Sequence, residues 1–579
     1  MKRIINIAAL VAACAAVVPL QAQIPNYEFG GAVFNHDIMT TGEFAALSRP
    51  QNFGTARSMA MGGAFTSLGA DMVSMSLNPA GLGMYRHSEF SFTPLVSIAK
   101  ATTPGTMPGQ FSGSGNSKTR FALANIGAAL NVFENAHGAL TSVTIGFGMN
   151  RIADFNSHYS YSSDVRYSPG NGLVYSIADA FSDQLQKGVN APGGWQPVMP
   201  QPGKDGPNGP LDIDNYGPYF WPAILGYKGA MIEVGNNGRW GRGFIGDNAS
   251  IQRSMNVLNT GSINEFDLSF GANFNNIVYL GATLGIQSVY KRTEITYAED
   301  YGYFNGTDGF ATDAAGNVLG HQLSYADLWQ RVKLDGSGVN FKLGVIVRPT
   351  PALRLGVAFH TPTFYSLERT YDAEVETEVL DNNDLNAPGE VVHPIAPGVR
   401  DGGSDSWDFV SPSRLMFGAS YTFGNFAIVS VDYERDWYNG IRVKNVPDMA
   451  DFGPGYYKTE FKNNFCGTNT VRAGVEVKLL PILALRLGGG YTSSMLKDES
   501  LAYEMPLNTE SYYLSAGVGV TLSRTVSLDV VYQNQTDKQS RYYLFYTRSN
   551  DTGDFVSTTD LYNTKFKRHY ISMTLGFRF

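Results

Sequence analysis

From His87 to the C-terminus, apolar residues recur at every second position, the period of a strand with one apolar face. The last segment shows it most plainly. Ile571, Met573, Leu575, Phe577 and Phe579 fall on one face, and Tyr570, Ser572, Thr574, Gly576 and Arg578 on the other. Val471, Ala473, Val475 and Val477 oppose Arg472, Gly474, Glu476 and Lys478, while Leu483, Leu485 and Leu487 oppose Ala484, Arg486 and Gly488. Leu514, Ala516, Val518 and Val520 oppose Ser515, Gly517, Gly519 and Thr521. Val531 breaks the same alternation between Val526 and Gln533.

Segments of this kind predict fourteen strands, over 88–99, 120–133, 139–161, 262–274, 277–298, 328–348, 352–376, 409–423, 426–438, 470–479, 483–495, 512–522, 526–546 and 565–579. Six connections are tight, around 134–138, 275–276, 349–351, 424–425, 480–482 and 523–525, and they alternate strictly with longer ones. Short turns at one end and long loops at the other are the layout of a transmembrane barrel. No run of 18 apolar residues offers the other membrane solution, a helix. Arg354, Arg414, Arg472, Glu476 and Arg486 fall on the polar faces, where they avoid the roughly 2–4 kcal/mol cost of a basic side chain facing mid-membrane lipid. The fold class expected is all-β: a fourteen-stranded antiparallel transmembrane β-barrel with an N-terminal insert in its lumen.

Ser58 to Gly83 does not follow the alternation. Gly62-Gly63 permits a tight turn or a close backbone approach. Leu68, Met72 and Met75 have the spacing of one helical face, and Pro79 predicts that the helix stops before it. Such a segment is too short for a domain and makes sense as a compact insert held inside something larger.

These residues carry a resemblance. Ala60-Met61-Gly62-Gly63-Ala64-Phe65-Thr66-Ser67-Leu68-Gly69-Ala70-Asp71, followed by Asn78-Pro79-Ala80-Gly81-Leu82, resembles the N-terminal hatch of the FadL/TodX (OmpP1) family of outer-membrane transporters of long-chain fatty acids and aromatic hydrocarbons. Asn78, Pro79 and Ala80 match the family's Asn-Pro-Ala motif, with Gly62 and Gly63 upstream of it. The resemblance implies a hatch over 23–86 that plugs a barrel over 87–579. It also implies passive movement of small hydrophobic molecules: capture among external loops, binding in an apolar pocket, and a hatch shift that opens a sideways path through a wall gap beside a kinked third strand. The family's carboxylate-binding Arg and Lys have no local motif here and are not carried over.

Composition changes the picture in three places. Of 579 residues 32 are Tyr and 35 Phe, and charge is low at 16%, as for a barrel with aromatic girdles. Residues 1–22 read as a secretory signal, with Lys2 and Arg3 ahead of an apolar stretch and Leu20-Gln21-Ala22 at its end. Val11-Ala12-Ala13-Cys14 also resembles a lipoprotein box, but its use would leave a stub of an apolar region. Cleavage at Ala22 leaves Cys466 alone, without a disulfide or a cysteine metal cluster. The net charge of −8, without a basic run, argues against nucleic acid.

No G-x-S-x-G, H-E-x-x-H or phosphate-loop motif is present, and the sequence is read as a non-enzyme without a cofactor or metal site. His360, on a polar strand face, reads as a lumen residue bonded to its neighbours. Asp381-Asn382-Asn383-Asp384 reads as an Asx-rich turn in preference to a calcium loop. The connection over 166–261 is long enough to carry function. It contains a helix expected over 173–187, then an apolar-aromatic stretch, and Phe181, Leu185, Trp195, Phe220 and Trp221 are the candidate external surface for a hydrophobic ligand; packing of the helix onto the barrel rim is the alternative. Phe579 is the expected signal to the barrel-assembly machinery. The partners expected are a fatty acid or hydrocarbon, the lipid of a Gram-negative-type outer membrane and that machinery. A rival reading is an outer-membrane shuttle for protein cargo in type IX secretion; a nonspecific porin is disfavoured by the hatch.

Overall fold

The computed structural model describes residues 27–579 apart from 32, 34–38, 103–115, 136, 166–174, 191–220, 235–239, 244, 246–250, 302–320, 382–403, 448–452, 498–507, 540–541, 550–554, 560 and 563. Fourteen antiparallel strands form a closed barrel. In chain order they are Glu89–Thr102, Ser117–Glu134, Leu140–Asp154 continued by Ser157–Val165, Ile251–Phe274, Val278–Asp300, His321–Val347 and Leu353–His360 continued by Phe364–Asp381. Ser404–Val410 with Arg414–Phe423, Ala427–Trp437 with Arg442–Asn445, Gly467–Leu480, Leu483–Thr492, Asn508–Thr521, Val526–Gln539 and Lys565–Arg578 complete the set. The last strand pairs with the first, from Glu89↔Arg578 to Thr102↔Lys565, so no edge is left there.

The tight turns fall where the alternation stopped. Asn275 and Asn276 both take positive φ (53° and 56°), the geometry of a two-residue hairpin, and asparagine tolerates it better than most residues. The fourth strand begins at Ile251, so residues 251–261 belong to it and not to the preceding loop. His321–Val347 has 27 residues and Leu483–Thr492 has 10, which makes the wall taller on one side.

Outward positions are apolar around the circumference: Phe92, Phe147, Leu268, Leu284, Val357, Phe417, Val475, Leu487, Leu514 and Ile571 are all exposed. On a closed barrel such a band is the surface that hydrocarbon covers. Arg414, Arg472, Glu476 and Arg486 point inward as expected. Val531, the break in the alternation, is inward and buried against Phe53, Ala56 and Met59.

The N-terminal residues run down the lumen from the loop end to the turn end. Tyr27–Gly30 pairs with Tyr546–Ser549 of the last loop. Helix Thr41–Leu47 follows, capped reciprocally by Thr40 and Glu43. Then come helix Ala56–Ala60 and two 3₁₀ turns, Met72–Met75 and Pro79–Met84. The expected single helical face of Leu68, Met72 and Met75 does not form. Leu68 packs with Met61, Phe65 and Val73, whereas Met72 and Met75 pack with Leu82 and Tyr85. Pro79 opens a 3₁₀ turn at its first position instead of only ending a helix, because the missing N–H is not needed there. Helix Ile177–Asn190 starts later than expected, and Leu173 and Val174 lie outside the described residues.

Candidate functional site

Two features stand out inside the wall: how the inner segment is gripped, and where the ladder of the wall stops.

The lower inner segment lies backbone-first against a belt of inward glycines. A Cβ on Gly474 or Gly488 would strike Met61, one on Gly356 Thr66, one on Gly281 Pro79 and one on Gly271 Gly83. These glycines come from five different strands, and Gly474 lies opposite Gly488 and Gly271 opposite Gly281 in their ladders. Gly62 and Gly63 both take positive φ (64° and 69°), which only glycine adopts at little cost, and they bring the chain against Gly489.

Asn78 joins this contact to the motif. It sits in extended geometry as the cap of the Pro79–Met84 turn, and its Oδ1 accepts from the Ala80 N–H at 3.1 Å. Its Nδ2 donates to Thr66 O at 2.6 Å and lies 3.4 Å from both Val345 O and Val357 O of the wall. A side chain on Gly344 would occupy the place of Asn78 Oδ1. Ala80 is fully buried beside Tyr279 and Ile346. The His360 ring nitrogen lies 2.9 Å from Leu77 O, the hydrogen-bonded lumen role expected of it.

Ion pairs fill the space between the segment and the wall. Arg57 holds Glu476 at 3.0 Å, and Glu476 also pairs with Arg486 at 2.6 Å. Glu434 joins Arg414 and Arg472; Lys342 joins Glu265 and Asp267. Each of these wall charges is largely or fully buried, so each depends on its partner. Asp71 accepts from the Thr55 hydroxyl at 2.8 and 2.9 Å and from the Val73 N–H at 3.0 Å, and burial pushes its carboxyl up to about 6.

The upper inner segment is held differently. Phe44 is enclosed by Trp407, Phe409, Tyr457 and Phe461, with ring centroids 4.9–6.4 Å away. Glu43 pairs with Arg369 at 2.9 Å; burial opposes its charge, yet Arg369, Lys291 and the Thr40 N–H hold the carboxyl below its usual value. The Tyr457 hydroxyl donates to Met39 O at 2.8 Å. Below this cluster a cavity of about 40 Å³ is lined by Leu47, Ser48, Glu265, Lys342, His360 and Arg414 among others. That is space for about one water molecule, not an acyl chain.

The second feature is in the wall itself. The second and third strands pair from Glu134↔Ser142 up to Asn125↔Asn150 and no further. Above that level, among the described residues, the second strand pairs with the first alone, and Ser157–Val165 with the fourth alone. The third strand, broken at Phe155-Asn156, turns inward there: Tyr159 packs on Phe566 and Tyr161 on Tyr542 and Tyr562. The unpaired stretch is floored by Asn125 Nδ2 to Asn150 Oδ1 at 2.6 Å and bridged by side chains alone: Arg151 Nε to Leu123 O at 3.2 Å, Lys118 Nζ to Asn259 O at 2.6 Å and Asn116 Nδ2 to Ser160 Oγ at 2.8 Å. On the second-strand side its inner face is apolar, where Leu95 and Ala124 pack with Phe53, Met59 and Tyr570; on the third-strand side it carries the buried polar residues Asn150, Asp154 and Asn156.

The expected external surface is not an open one. Phe181 and Leu185 are fully buried, and Phe181 packs against Gly226 of helix Trp221–Lys228, because an amphipathic helix buries its apolar stripe on the nearest apolar cover. Trp195 and Phe220 lie outside the described residues; Trp221 opens the second helix and its side chain is not described. Residues 382–384 of the Asx-rich turn are likewise outside them. Phe579 is exposed, and its N–H donates to Ser88 O at 3.0 Å. Sequence reasoning missed the Phe44 cluster and the glycine belt. The belt left a signal, since Gly474, Gly488 and Gly517 sit at inward positions of their alternating strands.

No family model and no curated protein matches the sequence. Among solved structures the chain is similar to a FadL homologue of Pseudomonas aeruginosa (12% identity, 92% of this chain and 99% of that one, TM-score 0.49). It is also similar to the toluene transporter TodX of Pseudomonas putida (11%, 92% and 100%, TM-score 0.44) and to the monoaromatic hydrocarbon channel CymD (12%, 91% and 98%, TM-score 0.41). At these identities the likeness concerns the fold.

Proposed function

We propose that this chain is an outer-membrane channel for small hydrophobic molecules. Its axis is closed by the N-terminal segment acting as a plug, and its exit is sideways between the second and third strands. The observation that carries the reading is the ladder that ends at Asn125↔Asn150 beside the apolar cluster of Leu95 and Ala124, while ion pairs and backbone contacts fill the axis just below. A hydrophobic solute gains nothing by crossing a charged seal, and burying charges without partners is costly. It moves favourably out of water into hydrocarbon once a path through the wall is open. The neighbours described as toluene and monoaromatic channels agree with small apolar cargo. The turn end faces the periplasm and the long loops face outward, as in other single-chain outer-membrane barrels. Diffusion down a gradient suffices and no covalent step is required.

The test is a reversible staple across the opening. With Cys466 replaced by serine, Leu123→Cys and Arg151→Cys place one thiol on each side of the opening that the Arg151 side chain now spans, for closure by a short reducible bis-thiol crosslinker. Crosslinking should lower uptake of a long-chain fatty acid or toluene, and reduction should restore it, with barrel abundance unchanged. Full uptake through a verified crosslink sinks the lateral route. Accumulation of secreted cargo in the periplasm on deletion, with uptake unaffected, would favour the shuttle reading instead.

A further inference from the structure

The outward face of the closing seam carries a row of lysines that the transport reading does not use. Lys100 of the first strand lies directly opposite Lys567 of the last, and Lys565 directly opposite Lys538 of the thirteenth. All four are exposed and alternate with the apolar outward residues of their strands, so they face the surroundings of the barrel and not its lumen. Like charges directly across a ladder destabilise the pair, and this seam places two such pairs side by side. Among the described residues one acid faces the row: Glu510, 3.5 Å from Lys538. Lys100, Lys565 and Lys567 have no acidic partner among the described residues. An anion seated on the row would relieve this repulsion.

Height identifies the anion. The same column of the seam begins at the turn end with the stacked pair Phe90 and Phe577, ring centroids 6.5 Å apart. It runs through Phe92, Val96, Ile98, Ile571, Met573 and Leu575 before reaching Lys100 and Lys567. Ten positions separate the aromatic pair from the lysine pair on each strand. At about 3.4 Å per residue and a tilt near 40°, that is roughly 26 Å of height, close to the ~25 Å apolar band of such barrels. The lysines therefore stand where hydrocarbon gives way to headgroups, at the loop end. Tyr532, whose hydroxyl bonds His569 at 2.8 Å, lies just beneath them, an amphipathic ring at the interface.

We infer that Lys100, Lys538, Lys565 and Lys567 form a docking surface for phosphate-bearing anionic lipid headgroups of the outer leaflet. The phosphate oxygens accept from the ammonium groups, and the acyl chains lie along the apolar column below. The inference rests on the membrane reading but not on the lateral route. A lipid held here covers the seam between the first and last strands and makes it a fixed side of the barrel, about one strand away from the proposed opening.

The test uses the full mature chain in phosphatidylcholine nanodiscs doped with bisphosphorylated lipid A or with the same lipid stripped of phosphate, and counts retained lipid by native mass spectrometry. The protein should retain the phosphorylated form in preference by about tenfold or more, given the attraction of each lysine for an anionic surface. The triple variant K100Q/K565Q/K567Q should lose that preference and remain a heat-modifiable barrel, and K100R/K565R/K567R should keep it. An inserted barrel with no preference, or a glutamine variant that keeps it, overturns the lipid site and leaves the transport reading intact. Loss in the arginine variant equal to that in the glutamine variant overturns the charge argument. Failure of the wild-type chain to insert as a protease-resistant barrel overturns both this inference and the membrane reading.

Discussion

The two halves of the inner segment are fastened by opposite means. Below, from Ser58 to Met84, it is the main chain that is held: it lies against wall glycines, and wall side chains such as His360, Tyr513 and Asp432 bond its carbonyls and N–H groups. Above, from Thr40 to Phe53, side chains do the holding: the Phe44 aromatic cluster, the Glu43–Arg369 pair and the Tyr457 hydroxyl. Backbone packed against glycine has few alternative arrangements, because close-packed surfaces shift only in discrete steps. Side chains have rotamers, and a ring lifted out of an aromatic cluster leaves the wall unchanged. If the chain works as proposed, the lower half is the seal and the upper half the part with room to move.

The sharpest way to break this contrast is to fill the belt. Gly281→Val places carbon atoms on the Pro79 backbone, whereas Gly241→Val, in the loop, meets open space. The first should displace the plug and raise single-channel conductance and sensitivity to large polar antibiotics; the second should leave both at background. A closed channel in the Gly281 variant means that the belt does not set the seal.

Phe44→Ala is the matching change above. Emptying an aromatic core site costs about 3–5 kcal/mol locally. Hydrogen exchange should speed up across residues 40–53 and stay slow across 58–84. Equal acceleration in both halves would show one cooperative unit and end the comparison.

Asn78→Ala should have a smaller effect, about 1–3 kcal/mol, because it removes a cap and leaves buried Thr66 and wall carbonyls without their donor. A modest rise in polar leakage, with barrel abundance unchanged, is expected on liposome swelling. No change would place the motif's importance in Pro79 and Ala80.

The mildest change is in pH. A carboxyl raised by folding favours the folded state most below its unfolded value, and that advantage is lost as pH rises through the folded one. For Asp71 this window runs from its ordinary 3.8 to about 6. The plug should therefore be held more firmly at pH 4 than at pH 7. Asp71→Asn should stabilise it at pH 7 by on the order of 1 kcal/mol and change little at pH 4. A stabilisation equal at both pH values would exclude this carboxyl as the cause.

Alternation by itself determined the barrel. Period two fixes which side chains face out, so the strand number, the tight turns at 275–276 and 424–425 and the inward aim of Arg414, Arg472 and Arg486 were all legible in the chain. The Asn-Pro-Ala stretch marked where the alternation was suspended, but not its form. Pro79 is equally compatible with ending one helix and with opening a 3₁₀ turn, and only the wall carbonyls around Asn78 select between them. Phe181 and Leu185 carry the same amphipathic spacing whether they face solvent or a second helix, so burial was decided by helix Trp221–Lys228. The glycine belt, the Phe44 cluster and the unpaired edge above Asn125 depend on residues hundreds of positions apart meeting at one height. A sequence read along its length records periodicity, which is local; the height at which strands align, and what the lumen then encloses, is set by register around the closed ring and exists only in three dimensions.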